Sequence, residues 1–100
     1  VEDISPGHAS DIEFHVQIAA SRRAIPPDEL SLIYNGPHPI TIVREDGWYK
    51  YHLNAGPSHK DADQLRISCN VVGAFLVAYR GTARINIFDA IRISKRSEAF

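Results

Sequence analysis

The sequence predicts an α+β domain, a split βαβ sandwich in which a four-stranded antiparallel sheet carries two helices on one face. One observation behind this prediction is the order of strand-like and helix-like segments, which is βαββαβ. The other is a weak internal repeat, because a shift of about 35 positions places the apolar residues of the first half on those of the second. Two βαβ units of this kind form the sandwich, with the first and third strands in its centre.

The strands are predicted from apolar residues that recur at every second position. Phe14, Val16 and Ile18 alternate with polar or small residues in the first strand. Between the second and third strands, Asp46-Gly47 is typical of a tight hairpin turn. The other predicted strands are Ile40–Arg44, Trp48–Leu53 and Ala74–Tyr79.

The helices are predicted from the residues that begin and end them. Pro26-Pro27 and the acidic residues after it suit the start of a first helix, from Asp28 to about Tyr34. We expect Gly36 to end this helix in the left-handed conformation. Ser58 is a typical N-cap for a second helix that extends to Asn70. The apolar face of the second helix, directed to the core, is Ala62, Leu65 and Cys69.

Composition divides the chain into three parts. Residues 1–12 have no periodicity and are predicted to be a flexible leader or linker. Residues 13–93 form the domain, and residues 94–100 are a C-terminal tail. Residues 84–93 have the pattern of one further short helix, which Asn86 would open.

Charge and cysteine content exclude several classes of protein. The 100 residues carry 11 basic and 12 acidic side chains, so a protein that holds nucleic acid mainly through its phosphates is not expected. One cysteine excludes an internal disulfide framework and a cysteine-rich zinc site. The longest apolar run, Gly73 to Ala78, is far too short to span a membrane, so this segment is not expected to insert directly.

One face of the predicted sheet carries no helix, and its side chains are the candidate binding residues. Tyr49, Tyr51 and Leu53 are expected beneath the helices, which leaves the alternate residues of the third strand on the helix-free face. A large aromatic set on the solvent side of a sheet usually marks a binding surface. The residues predicted on this face are His15, Gln17, Trp48, Lys50, His52, Phe75, Val77 and Tyr79.

Two interpretations of these aromatic side chains remain open. They bind a flat-faced ligand such as a sugar ring or a base, or the tail from Ile87 to Ile93 folds over the face and buries them. A binding role is favoured by Gln17, whose amide can both donate and accept hydrogen bonds, as sugar hydroxyl and acetamido groups require.

The sequence carries no recognisable catalytic or metal-binding motif. Serine, histidine and acidic residues are present, but no nucleophile-elbow motif accompanies them, and we predict a protein that is not an enzyme. Antiparallel pairing of the central strands can bring His15 and His52 opposite one another on the helix-free face. Two imidazoles make an incomplete zinc site, so neither a metal nor another cofactor is predicted.

Four segments, in the same order and with compatible spacing, resemble SPOR (sporulation-related) domains. The run Phe14–Ser21 resembles the opening strand of the family, and Asp46–Leu53 resembles its third strand. Asp61-Ala62 matches the acid-alanine pair that opens the second helix of the family. The segment Gly73–Gly81 is similar to the closing strand of versions common in Bacteroidetes.

This resemblance implies a peptidoglycan-binding module with a ribonucleoprotein-like fold. SPOR domains bind glycan strands that lack stem peptides, and so bring their parent proteins to sites of cell division or wall remodelling. Their binding surface is the helix-free sheet face. The resemblance therefore implies glycan strands as the partner, and the periplasm or cell envelope as the location.

The resemblance also implies positions for glycan contacts. The strand-one glutamine of the family falls on Gln17, and its small polar residue falls on Ala20, with the serine displaced to Ser21. The aromatic and basic residues of the third strand fall on Trp48 and Lys50. The last-strand apolar contact of the family falls on Phe75, and His52 is a further residue of the same predicted face. The predicted glycan-binding set is therefore Gln17, Ala20, Ser21, Trp48, Lys50, His52 and Phe75.

Two other functions remain open from the residues themselves. A single-stranded RNA or DNA binder can use the same topology and stack bases on sheet aromatics. Against that function, the third strand has Trp48 where the signature begins with lysine or arginine, and the face has one lysine. A protein-interaction or oligomerisation module could use the apolar patch or the exposed second strand.

Overall fold

The computed structural model describes residues 11–98, which form one mixed α+β unit. A single sheet runs through it, and three helices connect or follow its strands. The elements in chain order are β1 Ile12–Ser21, α1 Pro27–Ile33, β2 Ile40–Glu45, β3 Trp48–Gly56, α2 His59–Ser68, β4 Phe75–Arg80, β5 Ala83–Ile85 and α3 Ile87–Glu98.

The sheet is antiparallel, with the strand order β2-β3-β1-β4-β5. The prediction that the first and third strands lie in its centre is confirmed. The mixed α+β class with an antiparallel sheet is confirmed, but the described residues contain five strands where four were predicted. The third helix is the further short helix that the pattern of residues 84–93 indicated, and it extends to Glu98. After Gly81 (φ +63°) the chain turns back, and the three residues of β5 pair with the end of β4. A strand of three residues is too short to show alternation in the sequence.

The helix-covered face of the sheet carries the apolar core in two clusters. One cluster joins the ends of β1 and β4 to α2 and α3, and the other joins β1 and β3 to α1 and α2. Cys69 packs against the second cluster, as predicted. The buried residues of the two clusters are Ile12, Phe14, Ala62, Ala78 and Ala90, and Val16, Ile18, Tyr34, Tyr51 and Leu53.

The C-terminal helix lies on this helix-covered face. Ala90 is fully buried in the first cluster, and Ile87, Ile91 and Ile93 pack against it. The tail therefore does not cover the helix-free face, and that interpretation of the aromatic residues is wrong. The boundaries of the ordered elements are also wider than the predicted domain, because β1 begins at Ile12 and α3 extends to Glu98. The rest of the predicted leader, residues 1–10, lies outside the described residues.

The ends of the helices follow their capping residues. The Ser58 hydroxyl accepts a hydrogen bond from the Asp61 amide at 3.3 Å, and the Asn86 side chain accepts one from the Phe88 amide at 2.8 Å. The role predicted for Gly36 is wrong, since its φ is not positive. A Cβ atom at Gly36 would lie 2.4 Å from the hydroxyl of Tyr34, so close approach of that ring is what requires glycine.

The sheet is strongly curled, and the helix-free face is its concave side. Tyr79 on β4 donates a hydrogen bond to Glu45 on β2 at 3.1 Å, although two strands lie between them. In a flat sheet, β2 and β4 would be about 14 Å apart. A guanidinium nitrogen of Arg84 on the far edge strand β5 also lies 3.5 Å from Glu45. The curl brings the two edges of the sheet together over this face.

Candidate functional site

The helix-free face is built from the alternate residues of the strands. Glu13, His15 and Gln17 of β1 point to this side, because their neighbours Phe14, Val16 and Ile18 fill the core. The register sets Gln17 directly opposite His52 on β3 and opposite Phe75 on β4. The face residues of the other strands are Thr41, Val43 and Glu45 on β2, Trp48, Lys50, His52 and Asn54 on β3, and Phe75, Val77 and Tyr79 on β4.

A continuous chain of hydrogen bonds crosses the centre of the face. Asn54 donates to one carboxylate oxygen of Glu13 at 2.7 Å, and the other oxygen lies 3.2 Å from Nε2 of His15. The Nδ1 atoms of His15 and His52 are 2.9 Å apart, and Nε2 of His52 lies 3.0 Å from Oε1 of Gln17. The hydrogen bond from Asn54, followed by the bond from His15, lowers the pKa of Glu13, so the carboxylate form is favoured.

Burial makes the His52 side chain weakly basic. Its side chain is completely covered, with 0% of its surface exposed. Burial, followed by the charge that His15 carries when protonated, lowers the pKa of His52 from 6.5 to about 4. The Tyr79 ring packs beside both imidazoles, with its centroid 4.9 Å from that of His15. His52 is therefore neutral throughout the physiological range of pH.

A second polar group, centred on Glu45, joins β2 to β3 and β4 across the concave face. Glu45 accepts hydrogen bonds from Lys50 at 3.0 Å and from Tyr79 at 3.1 Å. Burial alone would raise the pKa of Glu45, but the bonds from Lys50 and Tyr79 outweigh it and the pKa is lowered. Burial and the Glu45 charge raise the pKa of Tyr79 to about 12, so its hydroxyl remains a donor.

Two aromatic side chains lie near one end of the face, where β1 ends and β3 and β4 begin. Phe75 is 46% exposed. Trp48 is half-buried, and the guanidinium carbon of Arg22 lies 4.4 Å from the centre of its ring. Ala20 is exposed and pairs with Lys50 in the register. This end of the face offers ring surfaces to a ligand, whereas the centre is closed.

The predicted binding residues therefore fall into three groups. Trp48, Phe75 and Ala20 are at least partly accessible, and Lys50 lies at the face with its ammonium group held by Glu45. Gln17 and His52 are on the predicted face but buried, with 7% and 0% of their surfaces exposed.

Ser21 occupies a different side of the sheet. A bulge at Ile18 sets two residues of β1 against one of β3, and the register after it pairs Ser21 with Tyr49, whose ring packs in the core. The Ser21 hydroxyl accepts a hydrogen bond from the Arg23 amide at 3.2 Å. Ser21 thus supports the turn after β1 in this structure.

Sequence reasoning missed the polar groups that fill the concave face. Glu13, Asn54 and Glu45 each stand at the period-two positions that alternate with core residues, so the same pattern that identified His15 contained them. The role of Arg84 had no such signal, since it depends on the curl of the sheet. Within residues 11–98, no three histidine, cysteine, aspartate or glutamate side chains are grouped to hold a metal ion.

Comparisons with protein families, with curated proteins and with solved structures find no match for this chain. In the described part of the chain, the helices are all too short or too polar to cross a membrane.

Proposed function

We propose that this domain is a non-catalytic binding module for the glycan strands of bacterial peptidoglycan, with strands lacking stem peptides as its preferred form. Such a module brings its parent protein to sites of division or wall remodelling. The observation that carries the proposal is the pair of aromatic side chains, Trp48 and Phe75, near one end of the helix-free face. The four segments that resemble SPOR domains support the same ligand and the same face.

The spacing of the two rings suits an extended polymer. Phe75 pairs with Gln17, whereas Trp48 follows the pair formed by Ser21 and Tyr49. These positions are separated by about four residues of β1, roughly 13 Å along the strand, and by two strand spacings, roughly 10 Å, across the sheet, because β1 lies between β3 and β4. At this separation the flat C–H faces of two sugars that are not neighbours in one glycan strand can stack on the two rings. A single small ligand would use one ring.

The residues between the rings have distinct roles in the proposal. Ala20 has a small side chain, which lets a sugar approach the sheet closely. Lys50 keeps donors free beyond the one that Glu45 accepts, and these can bind hydroxyl or carbonyl oxygens. Gln17 on β1 and His52 on β3 are buried and contact one another, so in this proposal they hold the two strands in position and do not contact the glycan directly.

Fluorescence of Trp48 tests the proposal directly, because it is the only tryptophan of the chain. Stripped glycan strands, intact peptidoglycan fragments and single-stranded RNA are titrated into the protein at low and high salt. The proposal expects a saturable change with stripped glycan that salt hardly alters. A response to RNA that weakens steeply with salt would instead identify a nucleic-acid binder.

A matched pair of phenylalanine variants locates the ligand. Phe75 and Phe88 are both exposed, at 46% and 68%, but Phe88 lies on α3, which packs on the opposite face. Phe75→Ala is expected to weaken glycan binding by roughly 1–3 kcal/mol, the usual value for losing one stacking ring. Phe88→Ala is expected to leave binding unchanged. Equal effects of the two variants, or none from either, would exclude the proposed face.

The edge strand β2 supports a second candidate function, strand addition by a partner protein. Within the described residues β2 has no neighbour on its outer side, and Ile42 in its middle is 54% exposed. An extended peptide could therefore add to the sheet there. Failure of every glycan titration, together with exchange protection of the β2 amides on mixing with a partner, would favour this function.

A further inference from the structure

The contacts of the two central histidines restrict which ring nitrogens carry a hydrogen for each orientation of the Gln17 amide. When the carbonyl oxygen of Gln17 faces Nε2 of His52, as it does here, that nitrogen carries a hydrogen. Nδ1 of a neutral His52 is then bare and can only accept, so the hydrogen in the 2.9 Å contact belongs to Nδ1 of His15. Nε2 of His15 faces the Glu13 carboxylate, which only accepts, so it also carries a hydrogen. His15 is therefore an imidazolium in this arrangement.

Removal of one proton leaves every contact satisfied if two groups reorganise. The hydrogen between the rings moves to Nδ1 of His52, and the proton on Nε2 of His52 leaves to water. Gln17 then rotates its amide by half a turn and donates from its NH₂ group to the bare Nε2. His15 keeps the hydrogen that Glu13 accepts. The two arrangements differ by one proton and by the direction of every hydrogen bond from His15 to Gln17.

We propose that His15, His52 and Gln17 form a two-state proton-binding relay at the centre of the helix-free face, in which uptake of one proton reverses the histidine tautomer and the orientation of the glutamine amide. The inference does not depend on the glycan proposal, since it uses only contacts inside the protein.

The surroundings of the relay restrict it to one added proton. Two protonated imidazoles would place a hydrogen on each Nδ1 atom, and the 2.9 Å contact has room for one. The lowered pKa of His52, due to its burial and then to His15, agrees with this limit. The charged or titratable groups that face the relay are Glu13 on β1, Lys50 on β3, Glu45 on β2, Tyr79 on β4 and Arg84 on β5.

The proton that leaves lies on Nε2 of His52, at the Gln17 end of the relay. Gln17 keeps 7% of its surface exposed and pairs with Phe75, which is 46% exposed. This proton therefore exchanges with water at the Gln17 end. At the other end, Glu13 is about half exposed and accepts the hydrogen on Nε2 of His15 in both arrangements.

Nitrogen NMR of the imidazole rings tests the relay in the unmodified protein. A series of long-range ¹H–¹⁵N spectra between pH 5 and 8 reports which nitrogen of each ring carries hydrogen. The expected result is that His52 changes from the Nε2–H form at low pH to the Nδ1–H form at high pH, while Nε2 of His15 stays protonated. Two rings that titrate separately, with one unchanged tautomer at His52, would overturn the proposal.

Two variants shift the relay in opposite directions. Glu13→Gln removes the carboxylate that favours the added proton, so the midpoint of uptake is expected to fall by about 1 pH unit. Gln17→Glu places an acceptor without a donor beside His52, so the proton-loaded form is expected to persist to higher pH. Glu29→Gln and Gln64→Glu make the same changes of charge at exposed positions and are expected to leave the midpoint unchanged.

The variants also guard against misfolding as an explanation. Glu13 is partly exposed, so Glu13→Gln provides the result if the buried Gln17→Glu does not fold. A midpoint that moves upwards in Glu13→Gln, or equally in both charge controls, would contradict the relay.

Discussion

The two faces of the same sheet are held in different ways. On the helix-covered face, ten fully or nearly fully buried apolar residues pack under three helices. On the helix-free face, burial comes from the curl of the sheet, and the covered side chains include His15, Gln17 and His52. Close packing stabilises the first face, whereas the second depends on hydrogen bonds that have to be complete.

This difference explains why one domain can offer an accessible surface beside a closed centre. A flat helix-free face would expose its whole width to solvent. Here the contact between Glu45 and Tyr79 closes the middle, and ring surface remains available at Trp48 and Phe75. Changes on the two faces should therefore differ in kind: loss of volume on the helix-covered face, and loss of hydrogen bonds or of charge on the other.

The largest effect is expected for Phe14→Ala on the helix-covered face. Phe14 is fully buried in the cluster with Ile12 and Ala90, so its loss leaves a cavity and lowers the free energy of unfolding by about 3–5 kcal/mol. The half-exposed Phe75, changed in the same way, should cost less than about 1 kcal/mol. Urea denaturation of both variants measures the difference. Equal losses would mean that the two faces are not distinct in packing.

Acidic pH is expected to destabilise the helix-free face next most strongly. Because the pKa of His52 is lowered from 6.5 to about 4, the unfolded chain binds a proton between these values that the folded chain excludes. The free energy of unfolding therefore falls as pH decreases from 6.5 to 4, by up to about 3 kcal/mol. Glu13 and Glu45, whose pKa values are lowered from 4.5, act in the same direction below that pH.

Urea denaturation at several pH values measures this dependence. In His52→Gln the slope of stability against pH should be smaller between pH 4 and 6.5, whatever the stability of the variant itself. An unchanged slope would show that His52 is protonated as readily in the folded as in the unfolded chain.

The sequence was sufficient to predict the helix-covered face but only part of the helix-free face. Alternation of Phe14, Val16 and Ile18 identified the core side of β1, and hence the opposite side by elimination. Alternation says nothing about curvature, which depends on bulges and on contacts between distant strands. The burial of His52 and the role of Arg84 follow from that curvature, and so could not be predicted from local pattern.

A smaller effect is expected where Glu45 joins the edges of the sheet. Glu45→Gln removes the charge that pairs with Lys50, whose side chain is only 16% exposed, and weakens the bond from Tyr79. The expected loss is about 1–3 kcal/mol, as for a hydrogen-bonded charge left without its partner. Glu29→Gln on the exposed surface of α1 is the control and should change stability by less than about 0.5 kcal/mol.

A double-mutant cycle separates the two bonds of Glu45. Tyr79→Phe removes a donor and leaves the ring beside His15, so it should cost about 0.5–1.5 kcal/mol in the parent protein. In the Glu45→Gln background the cost should be smaller, because the bond is already weakened. Additive losses would mean that the contact across the curl contributes nothing to stability.

The smallest effect is expected for Arg22→Ala near the proposed glycan site. The guanidinium group stacks on the Trp48 ring, a contact that stabilises an exposed pair by about 0.5–1 kcal/mol. Its removal should therefore lower stability only slightly, but it uncovers a ring face and should change the emission of Trp48 in the free protein. If the glycan stacks on that same ring face, the variant binds as well as the parent protein or more tightly. If binding is lost together with the arginine, Arg22 itself contacts the glycan, and the aromatic pair is not sufficient for recognition.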